Sequence, residues 1–174
     1  MAAESLVTRP VEVKDRTDLH ATYAEGIRAG LVGATTIALW FLLLDTIAGR
    51  PLYTPSVLGT ALLQGADSLD APGGVPIALE TVITFTWIHV LAFLLIGVAA
   101  ARLVDLAEHD ASYGFGILLL FVIFEFGFLA VNVVLAEPVL RAIAWPAVLV
   151  GNLLAAAAMA SVFWRRHPRL LIRP

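Results

Sequence analysis

The sequence predicts an all-α fold, an integral membrane bundle of four transmembrane helices with a short interfacial helix in the first extracytoplasmic loop. Three observations predict it. The chain has 174 residues, of which 60% are hydrophobic and only 14% are charged, whereas a soluble domain is about 25% charged. Its mean hydropathy is +0.89. The apolar residues are gathered into four blocks, each of a length that can cross a bilayer as one helix.

The four blocks and their short connections occupy nearly the whole chain, so one domain is expected, without a soluble catalytic part. A mixed-charge cytoplasmic tail is expected over residues 1–25, the membrane domain over 26–164, and a basic cytoplasmic tail over 165–174. The first tail has no apolar signal-peptide core, so span 1 is expected to direct insertion. The predicted spans 1 to 4 are residues 27–48, 79–103, 113–136 and 146–164.

Local signals place the ends of these elements. Thr17 is a candidate cap for a helix that leads into span 1. The polar residues 105–112 are expected to link spans 2 and 3, and Glu137–Pro138 is expected to end span 3. Pro146 suits the first position of span 4, although residues 139–145 are an alternative start for a longer, kinked helix.

The longest loop, residues 49–76, contains the signals of a short helix that does not span the membrane. Thr54–Pro55 precede an uncharged stretch that stops at Gly65, which predicts a short helix capped by Thr54. Its apolar side chains indicate a position in the membrane interface, or a re-entrant segment that dips into the bilayer.

Lys and Arg predict the orientation, because they favour the cytoplasmic side of a membrane protein. Four spans put both termini on one side, and that side then holds nine basic residues. The other side holds only Arg50 and Arg141. The nine are Arg9, Lys14, Arg16, Arg28, Arg102, Arg165, Arg166, Arg169 and Arg173. Both termini are therefore expected in the cytoplasm. Ten of the eleven basic residues are Arg, a bias that suits a GC-rich bacterial genome, and the expected location is a bacterial inner membrane.

Only a few polar side chains lie inside the predicted spans, and each needs a partner because charge is costly there. Counted from the cytoplasmic ends, His89, Glu125 and Asn152 all lie about 18–20 Å deep. A second layer nearer the outer surface holds Asp45, Asn132 and Glu80. The simplest pair is His89 with Glu125, and Asn152 is placed to hydrogen-bond either one. These six residues are the predicted intramembrane polar cluster.

Four interpretations of this cluster remain open: hydrogen bonds that fix helix register, contact with a partner chain or its cofactor, a path for protons or small solutes, and a metal or haem site. Haem held by two histidines needs a second intramembrane His, which the spans lack. The chain has no Cys, which excludes disulfides, thiolate catalysis, iron–sulfur clusters and Cys-ligated zinc within it. No cofactor or metal is expected within this chain.

Small residues predict where the helices approach closely. Their expected role is helix packing, in preference to a phosphate loop, which needs a preceding strand and a following Lys. The candidates are Gly26, Gly30, Gly33, Gly151 and Ala155.

We expect the chain to be a small non-catalytic subunit or scaffold of a larger membrane complex, with an energy-transducing complex as one case. The alternative is a small transporter or proton-conducting protein that uses Asp45, Glu80, His89 and Glu125. An enzyme is disfavoured because no nucleophile or metal-ligand constellation is present. The expected partners are the lipid bilayer and other membrane subunits or further copies of the chain, and no nucleic acid.

Overall fold

The computed structural model describes residues 16–70, 74–109, 119, 122 and 145–166, and every regular element among them is helical. Three of these helices contain segments long and apolar enough to cross a membrane, at Leu19–Ile47, Leu79–Ala107 and Pro146–Arg166. Nearly all of predicted span 3 lies outside the described residues, so the fourth span stays a prediction. The elements are α1 (Arg16–Ile47), α2 (Tyr53–Gln64), a 3-10 helix (Ala66–Asp70), α3 (Leu79–His109) and α4 (Trp145–Arg166).

Two helices are longer than the spans predicted from hydropathy. Helix α1 begins at Arg16, within the predicted tail, and α3 continues to His109, through the first part of the predicted polar link. A charge ends the apolar run without ending the helix, because Leu, Ala and Glu are good helix formers in water as well. Arg102 and Asp105, one turn apart and 3.9 Å from each other, add a surface ion pair to this extension.

Helix α1 lies between α3 and α4, which have little direct contact with each other. Gly26 of α1 lies against Gly97 of α3, whereas Ala34, further along α1, lies against His89. Residue numbers rise along one helix as they fall along the other, so the two helices are antiparallel.

The contacts between α1 and α4 show that these two helices also run in opposite directions. Gly33 lies beside Met159, and Trp40, two turns later in α1, lies beside Gly151. Helix α4 is therefore also antiparallel to α1. It follows that α3 and α4 run in the same direction, so the end of α3 and the beginning of α4 lie at opposite ends of the bundle.

Small side chains fill much of the contact between the long helices, where Met159 and Phe163 are also buried, and many large apolar side chains face outward. Ala29 and Ala155 are buried, whereas Ile47 is 75% exposed and Leu95 is 66% exposed. A soluble protein rarely exposes contiguous apolar surface on this scale. Large apolar side chains outside and small ones inside are typical of helices that pack within lipid.

Helix α2 covers the end of the bundle where α1 stops and α3 begins. Its Val57 is fully buried and contacts Phe41 of α1 and Val148 of α4. Gly59 of α2 lies directly against Thr81 of α3. A short helix after the first span was predicted, and the structure places it with one face packed on the bundle.

Candidate functional site

A buried carboxylate joins the end of α1 to the beginning of α2. Asp45 Oδ2 accepts a hydrogen bond of 2.7 Å from the Thr54 backbone N–H, and Oδ1 accepts one of 2.8 Å from the Thr54 hydroxyl. Both residues are buried. The first turn of a helix has unbonded N–H groups and carries positive partial charge, so a carboxylate stabilises it. Asp45 therefore caps α2 from another helix.

This geometry corrects the predicted cap. Thr54 is the second residue of α2, and its side chain bonds Asp45 instead of the helix backbone. Leu52 occupies the capping position with a left-handed φ of 67° and without a side-chain hydrogen bond. The turn that leads to it is held by the Arg50 N–H, which donates to the Asp45 carbonyl oxygen at 2.8 Å. The Arg50 guanidinium also lies 3.9 Å from the centre of the Tyr53 ring.

His89 is half-buried in the bundle and contacts the backbone of α1. Its Nε2 is 3.2 Å from the Ala34 carbonyl oxygen, so the ring donates this bond when Nε2 carries a proton. The imidazole lies between Phe85 and Phe93, one turn away on either side, with ring centres 5.9 and 4.8 Å distant. A hydrogen bond to a main-chain acceptor fixes the height of α3 against α1.

Trp40 makes the corresponding contact between α1 and α4. Its indole Nε1–H donates to the Ala147 carbonyl oxygen at 2.8 Å. Gly151 leaves the space for this ring, since a Cβ there would lie 2.9 Å from Trp40 Cδ1. Trp40 was not singled out in the sequence analysis, and this bond was missed. The available signal was a Trp inside a span, where its N–H needs an acceptor.

The glycines of α1 lie where α3 approaches most closely. A Cβ built at Gly97 would overlap the Gly26 carbonyl oxygen and lie 2.6 Å from Gly30 N and 2.8 Å from Gly30 Cα. These neighbours are backbone atoms, so no side-chain rotation relieves the overlap. Gly97 was not among the predicted packing residues, although it lies on the same helix face as His89 and Phe93.

The predicted polar cluster is spread over the described part of the bundle. Glu80 is exposed at the start of α3, and Asn152 is half-buried next to Gly151. Glu125 and Asn132 lie outside the described residues, so the pairing of His89 with Glu125 stays a prediction.

The heights of the described members follow from their contacts on α1. Ala34, beside His89, and Asp45 are eleven residues apart, which is about 16 Å along a helix. Asn152 adjoins Gly151, which packs against the side chains of Ile37 and Trp40, three and six residues along α1 from Ala34. The common height of His89 and Asn152 stays a prediction.

These contacts join one helix to another within the part of the chain that the structure describes. Within residues 16–70, 74–109 and 145–166, no three His, Asp or Glu side chains are grouped to hold a metal ion. Comparison with known proteins finds no matching family model, no similar curated protein and no similar solved structure. The case for a function therefore depends on the contacts described above.

Proposed function

We propose that the chain is a non-catalytic subunit or scaffold of a larger membrane protein complex, in the inner membrane of a bacterium. One observation carries the proposal. Three polar side chains inside α1 and α3, those of Trp40, Asp45 and His89, are engaged in contacts between elements of this same chain. Asp45 bonds Thr54, His89 contacts the Ala34 carbonyl, and Trp40 bonds the Ala147 carbonyl.

Three hydroxyl groups in these helices support the same proposal. Thr36, Thr46 and Thr86 each donate to the carbonyl oxygen four residues earlier in their own helix. A side chain held in this way is satisfied without a ligand. The resulting bundle presents large apolar surfaces outward. Such surfaces are expected of a subunit that contacts lipid and neighbouring helices.

The alternative, a transporter or proton conductor that uses Asp45, Glu80, His89 and Glu125, needs groups close enough to pass a proton or bind one solute. Two of these groups, His89 and Asp45, lie about 16 Å apart along α1. Each already has a bonding partner in another element. This separation favours the role of a subunit.

The subunit proposal is tested by gentle purification of the full chain from its own membranes at native expression. We expect the same partner proteins, in fixed ratio, when the tag is on this chain and when it is moved to each partner. An unrelated tagged multi-span protein at equal expression is the control. Recovery of the chain with no other protein, in several mild detergents, would contradict the proposal.

We also propose four crossings with both termini in the cytoplasm. Helices α3 and α4 are both antiparallel to α1, so residues 110–144 connect opposite ends of the bundle. A connection between opposite ends of the bundle must cross the membrane an odd number of times, which supports one further crossing between His109 and Trp145. The excess of Arg and Lys at the two termini supports the cytoplasmic side for both.

The topology is tested by single cysteines, because the natural chain has none. His20, Asp67 and Arg166 are exposed in the structure and lie outside or at the ends of the long apolar runs. In intact cells, a membrane-impermeant maleimide is expected to label Asp67→Cys only, and to label His20→Cys and Arg166→Cys after permeabilisation. Labelling of His20→Cys and Arg166→Cys from opposite sides would contradict four crossings.

A further inference from the structure

Exposed arginines gather at one end of the bundle. Arg28 lies five residues before Gly33 in α1, and Arg165 lies six residues after Met159 in α4. Because Gly33 and Met159 are in contact and the two helices are antiparallel, both arginines lie at the end where α1 begins. Arg166 follows directly. All three arginines are exposed, and none forms an ion pair with another residue that the structure describes. This end of the bundle therefore presents positive charge outward.

The opposite end of the bundle has the other sign. Asp67 and Asp70 of the 3-10 helix and Glu80 of α3 are exposed there, and Arg50 is the basic residue among them. Anionic lipid headgroups attract Arg and Lys at a membrane surface. The described surface therefore favours anionic headgroups at the end where α1 begins and disfavours them at the other end.

A groove on the outer face of α4 opens at the positive end. It has a volume of about 510 Å³ and is lined by Ala157, Ala160, Ser161, Trp164 and Arg165. From Arg165 to Ala157 it extends about 12 Å along the helix. The two alanines give it an apolar floor, and the Trp164 indole beside them is 74% exposed. The groove thus combines a cation at its mouth with an apolar channel below.

We propose that this groove, the Arg165 groove, binds an anionic phospholipid. The Arg165 guanidinium donates hydrogen bonds to the phosphate oxygens, a geometry that arginine favours. One acyl chain lies over Ala157 and Ala160, and the indole of Trp164 lies at the interface, where tryptophan is enriched. A phospholipid is charged at one end and apolar at the other, as the groove is. The proposal requires insertion in a membrane, but neither the partner proteins nor the orientation proposed above, so each can fail alone.

Residues 110–144 of the same chain match this groove less well than a lipid does. Their acids are Asp110, Glu125 and Glu137. Glu137 lies eight residues before Trp145, which begins α4 at the other end of the bundle. Asp110 is the acid that adjoins the positive end in sequence, and one carboxylate cannot balance arginines that project from both α1 and α4. Anionic lipid in the surrounding bilayer supplies the remaining negative charge.

Quenching of tryptophan fluorescence by brominated lipid tests the contact. The full chain is placed in bilayers of phosphatidylcholine and phosphatidylglycerol, and an equal fraction of one lipid or the other is brominated. Trp164→Phe and Trp87→Phe give the share of each ring by difference. We expect brominated phosphatidylglycerol to quench Trp164 about threefold to fivefold more than brominated phosphatidylcholine. For Trp87, which is 72% exposed on α3, the ratio should be near one. Equal quenching of Trp164 by both lipids, or quenching by neither because protein covers the groove, would overturn the proposal.

Matched charge changes separate the groove from general attraction. Arg165→Gln and Arg166→Gln each remove one exposed charge, but only Arg165 lines the groove. We expect Arg165→Gln to bring the quenching ratio of Trp164 close to one, and Arg166→Gln to leave most of the preference. An equal loss in the two variants would show diffuse attraction by surface charge and contradict a site in the groove. An unchanged ratio in Arg165→Gln would contradict it as well.

A second measurement separates a lipid from free phosphate. Thermal unfolding of the full chain in detergent is followed with short-chain phosphatidylglycerol, short-chain phosphatidylcholine or glycerol 3-phosphate. Only the first should raise the melting temperature, because a ligand stabilises the state that binds it. Ala160→Leu fills the groove without a change of charge and should abolish the rise. Ala99→Leu, at an exposed position of α3, should keep it. A rise with glycerol 3-phosphate, or a rise that survives Ala160→Leu, would contradict a lipid in the groove.

Discussion

Gly97→Ala is expected to lower the free energy of unfolding by about 1–3 kcal/mol, the range for a methyl group forced into a filled contact. The new Cβ would lie 2.6 Å from Gly30 N and 2.8 Å from Gly30 Cα, and would overlap the Gly26 carbonyl oxygen. Since these atoms belong to the backbone of α1, the two helices must separate. Separation also lengthens the contact between His89 and the Ala34 carbonyl. Thermal unfolding in a mild detergent measures the change.

Ala99→Val is the matched control, because Ala99 lies on the same helix and is exposed. It adds more volume than Gly97→Ala does, but away from α1. A change within about 0.5 kcal/mol is expected for such a surface position. Equal destabilisation by both substitutions would show that α1 and α3 are not in backbone contact at Gly97.

Asp45→Ala is expected to destabilise the start of α2 by about 1–3 kcal/mol, because it leaves the buried Thr54 N–H and hydroxyl without their acceptors. Both of these groups now bond the carboxylate at 2.7–2.8 Å. The effect should be local. Amide hydrogen exchange over residues 53–60 is expected to become faster, while the central turns of α1 and α3 keep their protection.

A double-mutant cycle with Thr54→Ala tests the assignment of this bond. If Asp45 acts through Thr54, the effects of Asp45→Ala and Thr54→Ala should add to clearly more than the effect of the double variant. Asp67→Ala, at an exposed carboxylate of the 3-10 helix, is the control and should leave exchange in α2 unchanged. Additive effects, or equal exchange in α2 for Asp45→Ala and Asp67→Ala, would contradict the capping role.

The three described spans were predictable because hydropathy measures what lipid requires of a helix. Lipid favours apolar side chains over a length of about 20 residues, and spans 1, 2 and 4 met that requirement. Helix ends were less predictable, since α3 continues past Arg102 to His109 where the chain has left the apolar run. Helix formation in water depends on propensity and surface pairs, which a hydropathy scale does not measure.

The partners of the polar side chains were not predictable from sequence. His89 contacts a backbone carbonyl, and every residue of α1 has one, so no sequence signal marks Ala34. Asp45 was assigned to an outer polar layer, but its bond to Thr54 depends on the left-handed turn at Leu52. In both cases, side-chain counting identified a group that needs a partner, and the packing of the helices determined which partner it has.

The central claim is that the polar side chains inside the described spans hold the helices together, and His89 tests it most directly. In His89→Phe, a ring remains between Phe85 and Phe93 while the contact with the Ala34 carbonyl is lost. The measurement is proton flux into vesicles that contain the purified protein, with thermal unfolding of the same preparation. The account predicts flux equal to that of the unsubstituted protein and a loss of stability of about 0.6 kcal/mol, typical of one such bond in a membrane. Flux that His89→Phe abolishes while stability stays unchanged would contradict it.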